Sequence, residues 1–246
     1  MKLLCSWSGG KDSCYALMLL TQQDYELKIL LNMMNENEQV SRSHGLSLSI
    51  LNQQSKALNA PLKGIPSTWA DYEENYIKAL RHLKTVFDIE SVVFGDIDLE
   101  SHREWEEKVC DAAQLKPLLP LWKQNRKQLV YDMIDHGIKA IIVSCDKELL
   151  GESFLGREIT KDLVKELEDM GVDACGENGE YHTVVLDCPL FASPIQLPEF
   201  KKKVIKIIVS LLGIYKREID CVNEKIKSNK YRFTPYRRFF YFVMQF

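Results

Sequence analysis

Short apolar runs alternate with amphipathic segments along the first 145 residues. Five runs are typical of buried strands, at positions 2–7, 27–34, 61–66, 91–95 and 139–145. Between them, apolar residues recur at three- and four-residue steps and predict helices over 11–22, 46–58, 71–87, 103–115 and 126–136. Strands that alternate with helices form parallel β-α-β units. The pattern therefore predicts an α/β fold, a parallel Rossmann-like sheet covered on both faces, with a smaller C-terminal portion.

The later part of the chain is less regular and predicts a division into three regions. Residues 1–146 are expected to form the α/β domain, and 147–197 a substrate-binding portion with one helix near 160–170. Residues 198–246 form a basic tail with 12 Lys/Arg against 4 Asp/Glu, whereas the first 197 residues carry 20 against 31. Three interpretations of the tail stay open: a closing element of the core, an arm for an acidic or membrane partner, or a shifted reading frame.

Composition narrows the class of protein. Apolar residues make up 46% and charged residues 27%, an ordinary globular balance. No apolar run approaches the roughly 18 residues of a membrane span, and the N-terminus lacks a secretory pattern, so we expect a cytoplasmic protein without a membrane partner. The acidic body disfavours nucleic acid. The seven cysteines never occur as Cys-x-x-Cys, which argues against a disulfide framework or a structural zinc site.

A glycine-rich turn, "SWSGGKDS" at 6–13, follows the first predicted strand and opens a helix. Ligands of open α/β sheets bind at the carboxyl ends of the strands. Gly9 and Gly10 allow close backbone approach, the amides that open the helix attract anions, and Ser8 and Ser13 add hydroxyl donors. An ordinary turn capped by Ser8 is the alternative. The stretch contains neither a Walker A motif nor G-x-G-x-x-G.

The next two residues favour a phosphate site over an ordinary turn. Lys11 supplies a cation at the helix start, and Asp12 follows it directly. A carboxylate repels phosphate unless a cation lies between them, and Mg²⁺ is the natural bridge. We therefore expect Lys11 and Asp12 to act in catalysis and Asp12 to bind the metal.

A second polar loop, "GENGEYHT" at 176–183, places two carboxylates, an amide and an imidazole close together. Glu177 and Glu180 are candidates to bind ammonium and to take its proton, and Asn178 to orient a carboxylate. His182 is either a base or a hydrogen-bonded strand residue. A solvated turn is the simpler alternative for the whole loop.

Further candidates lie where other strands end. After the strand at 91–95, Gly95 would let the chain pass near a nucleotide, and His102 and Arg103 could meet phosphate or a substrate acid. The alternative is a loop, N-capped by Ser101, that opens a charged helix; the solvated face of that helix is expected to include Glu104, Glu106 and Glu107. Arg157 is either a clamp for phosphate or carboxylate or a surface arginine.

The motifs together resemble a known family. "SGGKDS" resembles the PP-loop of the N-type ATP pyrophosphatases. With "GDIDLESHREWEEKVC" (95–110), "FLGREI" (154–159) and "CGENGEYHTVVLDCPLF" (175–191), it resembles the diphthine–ammonia ligase (diphthamide synthetase) family over about residues 1–195. That resemblance implies the adenine nucleotide α-hydrolase-like (HUP) fold, with ATP and Mg²⁺ as cofactors.

The resemblance also implies a reaction. A substrate oxygen attacks the α-phosphorus of ATP, pyrophosphate leaves, and ammonia displaces AMP from the adenylate. In the family the acceptor is diphthine on elongation factor 2. Carried over to this chain, the substrate site includes Glu177, Asn178, Gly179 and Glu180; near the adenine the candidates are Asn32, Met33 and His44, although a Met pair at a strand end is more often core.

Three points stay open at the level of sequence. The acceptor could be another carboxylate, as in a bacterial homologue, and a non-catalytic adenine-nucleotide-binding protein would keep the loop without needing "GENGEYHT". The chain has no Cys-x-x-Cys of the kind expected in tRNA-thiolating relatives. A homodimer is left open.

Overall fold

The computed structural model describes residues 1–199, 201–210, 215–218 and 236–245, the last three ranges as backbone strands. The strands are β1 (Lys2–Ser6), β2 (Glu26–Met34), β3 (Leu62–Pro66), β4 (Ser91–Val93), β5 (Lys116–Leu118), β6 (Lys139–Asp146), β7 (Tyr181–Asp187), β8 (Lys201–Ser210), β9 (Tyr215–Glu218) and β10 (Tyr236–Gln245). The helices are α1 (Lys11–Thr21), α2 (Leu48–Ala57), α3 (Tyr72–Phe87), α4 (Glu100–Ala113), α5 (Arg126–Asp135) and α6 (Lys161–Asp169), and a short 3₁₀ turn covers Glu152–Phe154.

The first five strands form one parallel sheet in the order β3-β2-β1-β4-β5. Successive residues of β1 point to opposite faces: Leu3 and Cys5 belong to one buried cluster and Leu4 to the other. Both faces are therefore covered, which explains why the strands are continuous apolar runs. The predicted α/β fold with a parallel Rossmann-like sheet is confirmed.

The sixth strand differs from the expectation. β6 leaves the parallel sheet and pairs antiparallel with β7, a strand that the sequence pattern did not predict. The second sheet has the order β7-β6-β10-β8-β9. An apolar run such as 139–145 predicts a buried strand, but it does not specify the strand with which it pairs. The three-way division of the chain stays a prediction.

The basic tail contributes strands to this second sheet. β10 pairs antiparallel with β6, with Phe242 opposite Cys145, and with β8 over ten residues. β9 pairs with β8 at the edge. Residues 219–235 of the tail lie outside the described residues, and the choice among the three interpretations of the tail stays a prediction.

Candidate active site

The glycine-rich turn at residues 6–13, which we call the phosphate-type loop, joins β1 to α1 and is shaped by its own side chains. Gly9 has φ +85°, a left-handed conformation that favours glycine. The Ser8 hydroxyl accepts from the Gly10 amide at 3.2 Å and lies 2.9 Å from the Ser13 hydroxyl. The N-cap of α1 is Gly10, and no side chain caps this helix. The simpler alternative of a turn capped by Ser8 therefore does not describe this loop.

A buried glutamine fixes the loop from behind. The Gln54 side-chain amide donates to the carbonyls of Gly9 at 2.9 Å and Val185 at 2.8 Å, and its oxygen accepts from the Trp7 indole at 2.9 Å. The Val185 amide donates to the Gly9 carbonyl at 2.9 Å. Strand β7 of the second sheet is thus hydrogen-bonded directly to the loop. The sequence analysis missed Gln54, although it falls on the apolar face of α2 with Ile50, the signal that could have revealed it.

The loop opens into a cleft of about 880 Å³ at the carboxyl ends of the parallel strands. Twelve of the residues expected in the site line it: Ser8, Lys11, Asp12, Ser13, Asn32, Met33, His44, Gly95, His102, Glu177, Gly179 and His182. Gly9 and Gly10 are buried in the loop backbone and do not line it. The two distant polar motifs therefore meet at one cleft.

Lys11 and Asp12 form a close pair at the start of α1. The Lys11 Nζ lies 2.9 Å from both Asp12 carboxylate oxygens and donates to the Cys175 carbonyl at 2.6 Å. Burial opposes the charge on Lys11, but the Asp12 carboxylate and other nearby groups outweigh it and raise the pKa of Lys11, which stays charged. Burial also raises the pKa of Asp12 against the opposing effect of Lys11. One ammonium thus links the phosphate-type loop to the second polar motif.

The second motif divides its two glutamates between different tasks. Glu177 lines the cleft, where burial and the Asp12 charge raise its pKa to about 8. The Glu180 carboxylate instead accepts from the backbone amide and the side-chain amide of Asn178, both at 3.0 Å. Glu180 and Asn178 do not line the cleft, so their contacts fix the shape of the loop.

A third acidic group lies where β4 passes into α4. The Asp96 carboxylate is 2.7 Å from Nδ1 of His102, a contact that raises the pKa of the imidazole. Burial opposes the charge on Asp96, but hydrogen bonds from His102 and Glu106 lower its pKa. Gly95 serves packing, since a Cβ there would lie 2.6 Å from the Ser13 backbone nitrogen.

Glu106 is in the cleft and not on a solvated helix face as expected. It is 3% exposed, and burial followed by the Asp96 charge raises its pKa to about 12. Its Oε2 is buried without a hydrogen-bond partner among the described residues. Glu106 shares a buried face with Val109, Cys110 and Ala113, the helical spacing that could have revealed it. Glu104 and Glu107 are exposed, as expected.

Two arginines expected in the site are held elsewhere. The Arg157 guanidinium binds both carboxylate oxygens of Glu166, at 2.8 and 2.5 Å. Arg103 lies 2.5 Å from Glu100 and packs over the Trp122 ring at 5.2 Å. Neither arginine lines the cleft. Both expectations are therefore corrected: local carboxylates on the same surface hold these guanidinium groups.

The expected adenine side combines Asn32 with two histidines. Asn32 is 4% exposed and donates to the Trp7 carbonyl at 2.6 Å. Its Oδ1 has no hydrogen-bond partner among the described residues and can accept from a ligand. His44 contacts the Thr183 carbonyl at 2.9 Å, and its ring lies 4.8 Å from that of His182. The loop amide of Lys11 donates to the Thr183 hydroxyl, so β7 also supports this side.

A metal ion has a carboxylate available beside the loop. Within the part of the chain that the structure describes, no three His, Cys, Asp or Glu side chains form a metal site. Mg²⁺ commonly takes one or two carboxylates and fills its other positions with water and substrate phosphates. Asp12 lines the cleft, with Asp96 near enough to raise its pKa. This pair fits an ion that arrives with a nucleotide.

Comparison with known proteins gives a consistent result. Models of two domains of diphthamide synthase match, the N-terminal domain over residues 1–117 and the C-terminal domain over residues 125–219. Diphthine–ammonia ligase of Mus musculus is 30% identical, with 79% of this chain and 82% of that protein covered. The Danio rerio protein of the same name is 30% identical, with 79% and 86% covered.

The comparison with solved structures adds less. A predicted subunit of tRNA methyltransferase from Methanocaldococcus jannaschii aligns with TM-score 0.41 and 16% identity, covering 79% of this chain and all of that one. That similarity is too low to bear on function. Across the described residues, no helix has the length and apolar character to cross a membrane.

Proposed function

The chain belongs to the diphthamide synthase family, and on that premise we propose that it is an ATP-dependent ligase that joins ammonia to the carboxylate of diphthine in elongation factor 2. The observation that carries the proposal is the meeting of two motifs at one cleft. Lys11 reaches from the phosphate-type loop to the Cys175 carbonyl at 2.6 Å, directly before the loop that carries Glu177. A nucleotide and a nitrogen nucleophile can therefore react in the same space.

The first step is transfer of the adenylyl group. An oxygen of the acceptor carboxylate attacks the α-phosphorus of ATP, the bond to the β-phosphate oxygen breaks, and pyrophosphate leaves with the electron pair. The loop amides at the start of α1 and the charged Lys11 offset the negative charge on the departing phosphates. Asp12, beside Asp96, would hold Mg²⁺, which supplies further positive charge at the phosphates.

The second step is aminolysis of the mixed anhydride. Glu177 binds ammonium and accepts one proton from it, and ammonia attacks the acyl carbon. A second proton passes from the nitrogen to solvent, and AMP leaves with the oxygen it gained in the first step. A general base acts best when its pKa lies near the working pH, and the pKa of Glu177 is raised to about 8. Glu180 keeps this loop in shape through Asn178.

The test follows the complete reaction in the wild type and in one variant, Glu177→Gln. Protein, α-labelled ATP, ammonium and diphthine-bearing elongation factor 2 should give AMP, pyrophosphate and the amide. Glu177→Gln should retain exchange between ATP and pyrophosphate but lose about 100-fold or more in amide formation, the usual contribution of a general base. We expect the wild-type rate to rise with pH near pH 8 as Glu177 loses its proton, and the variant to lack this rise because glutamine does not titrate.

The matched control is Glu158→Gln, at an exposed position away from the cleft, which should behave like the wild type. AMP formation with another carboxylic acid, and none with diphthine-bearing elongation factor 2, would show that diphthine is not the acceptor. Binding of ATP without AMP under any acceptor would overturn the assignment as a ligase.

A further inference from the structure

One side of the cleft is built from aromatic rings, and no step of the proposed reaction uses them. Trp69, Tyr72 and Trp105 line the cleft and are half-buried; we call these three residues the aromatic wall. The Tyr72 ring stacks on Trp69 at 5.6 Å and is tilted against Trp105 at 5.7 Å. Tyr76, beneath them, is fully buried and lies 5.0 Å from Trp105. The buried ring therefore packs against Tyr72 and Trp105 and supports that part of the wall.

The wall already binds a cation at one end. The Arg42 guanidinium lies 4.9 Å from the centre of the Trp69 ring, and Glu36 balances its charge at 2.8 Å. Ring faces attract cations through their quadrupole, most strongly when the site is desolvated. Among the described residues, no cation lies over the other end, which is formed by Tyr72 and Trp105.

Negative charge lies beside that other end. Asp96 acts on the Tyr72 phenol: burial and then the Asp96 charge raise the pKa of Tyr72. Glu106, next to Trp105 in sequence, and Asp96 both line the same cleft as the rings. The Tyr72 and Trp105 rings therefore share one cleft with two acidic side chains, a setting that favours a bulky cation.

We propose that Tyr72 and Trp105 bind the quaternary ammonium group of the acceptor. This inference rests on the proposed function. Diphthine carries a trimethylammonium group on the carbon that also bears its reacting carboxylate. A quaternary nitrogen donates no hydrogen bond. Ring faces and the negative charge of a nearby carboxylate attract it, whereas a neutral hydrogen-bond acceptor has no N–H group to bind.

The position in the sheet agrees with this assignment. The phosphate-type loop follows β1, Asn32 belongs to β2 on one side of it, and Trp105 belongs to the helix that follows β4 on the other side. The Trp105 ring thus lies on the opposite side of the loop from Asn32, and Tyr72, which begins the helix that follows β3, packs against Trp105 from the Asn32 side. Glu177 lines the same cleft as the wall, so the carboxylate expected to activate ammonia shares this space with the rings. A cation one carbon away from the reacting carboxylate would lie where these groups meet.

The experiment compares Trp105→Leu with Trp105→Phe and Trp122→Leu. Trp122 lies outside the cleft under Arg103 and Lys123, so it is the matched control. For diphthine-bearing elongation factor 2, Trp105→Leu should raise KM roughly tenfold, a factor that corresponds to about 1.4 kcal/mol. Trp105→Phe, which keeps a ring, should restore most of that loss. The Kd for ATP should stay the same in all three variants.

A second measurement uses tetramethylammonium chloride as the probe. It should inhibit the wild type competitively with the acceptor, relative to equal sodium chloride, and its methyl protons should show saturation transfer from the wild type but not from Trp105→Leu. Where the wild type makes the amide, two results for Trp105→Leu would overturn the inference. One is an acceptor KM that stays unchanged, and the other is a Kd for ATP that rises while the acceptor KM does not. A wild type that makes no amide refutes the proposed function instead, and the saturation-transfer result then decides alone whether the wall binds quaternary cations.

Discussion

Glu106 is a carboxylic acid that stays protonated at neutral pH, and this has a measurable effect on stability. Burial and the Asp96 charge raise its pKa to about 12 in the folded protein, from an ordinary value of 4.5. Between those two values the folded state holds one proton more than the unfolded state. The free energy of unfolding contributed by this group therefore falls as the pH rises through that window.

The size of the effect follows from the proton count. One extra bound proton lowers the free energy of unfolding by about 1.36 kcal/mol per pH unit. From pH 6 to pH 8, Glu106 alone should remove about 2.7 kcal/mol. Glu106→Gln keeps the size of the side chain and an N–H donor for Asp96, but it does not titrate. The variant should therefore lose about 2.7 kcal/mol less than the wild type over this interval.

Urea denaturation at pH 6, 7 and 8, followed by tryptophan fluorescence, measures this difference. Comparison of two proteins that differ at one position cancels the contributions of the titrating groups that do not interact with Glu106. Glu104→Gln is the control, because Glu104 is exposed on the same helix, and its pH dependence should match that of the wild type. Parallel pH dependences for the wild type and Glu106→Gln would refute the assignment of Glu106 as a buried, protonated acid.

Two further substitutions test how the loop is held. In Gly95→Ala the new Cβ would lie 2.6 Å from the Ser13 nitrogen, so the start of α1 must shift. The affinity for ATP, measured by titration calorimetry, should fall about tenfold or more. Gly151→Ala, whose Cβ would meet its nearest atom at 3.6 Å, is the control and should bind ATP normally; equal affinities of the two variants would contradict the close approach at Gly95. Gln54→Met removes the hydrogen bonds that Gln54 makes to the Gly9 and Val185 carbonyls and to the Trp7 indole. It should lower the free energy of unfolding by about 3 kcal/mol, against less than about 1 for Gln53→Met. Similar decreases in the free energy of unfolding for both variants in urea denaturation would show that the three hydrogen bonds of Gln54 do not add to the stability of the fold.

The parallel sheet and the phosphate-type loop could be predicted because their signals are local. The alternation of apolar runs and helices predicted β1 to β4, and the motifs identified the family that the comparisons then confirmed. The meeting of "SGGKDS" with "GENGEYHT" followed from that resemblance. Local patterns and family motifs were sufficient for these features.

Pairing between distant strands and burial of isolated polar residues could not be predicted in the same way. β6 is an apolar run like β1, and only its antiparallel contact with β7 distinguishes it. Glu106 was assigned to solvent because of its charge, although its helical spacing placed it among buried residues. Arg157 was left open as an anion clamp or a surface arginine, and Glu166 binds it away from the cleft. In each case a tertiary contact outweighed the tendency of the residue type.

The three hydrogen bonds of Gln54 bear on how the chain could be divided. The family match falls into two segments, and Gly9 belongs to the first while Val185 belongs to the second. Expressed as separate polypeptides, the segments would lose the two hydrogen bonds of Val185, one from Gln54 to its carbonyl and one from its amide to the Gly9 carbonyl. A split-protein version should therefore be active only when both segments are present together.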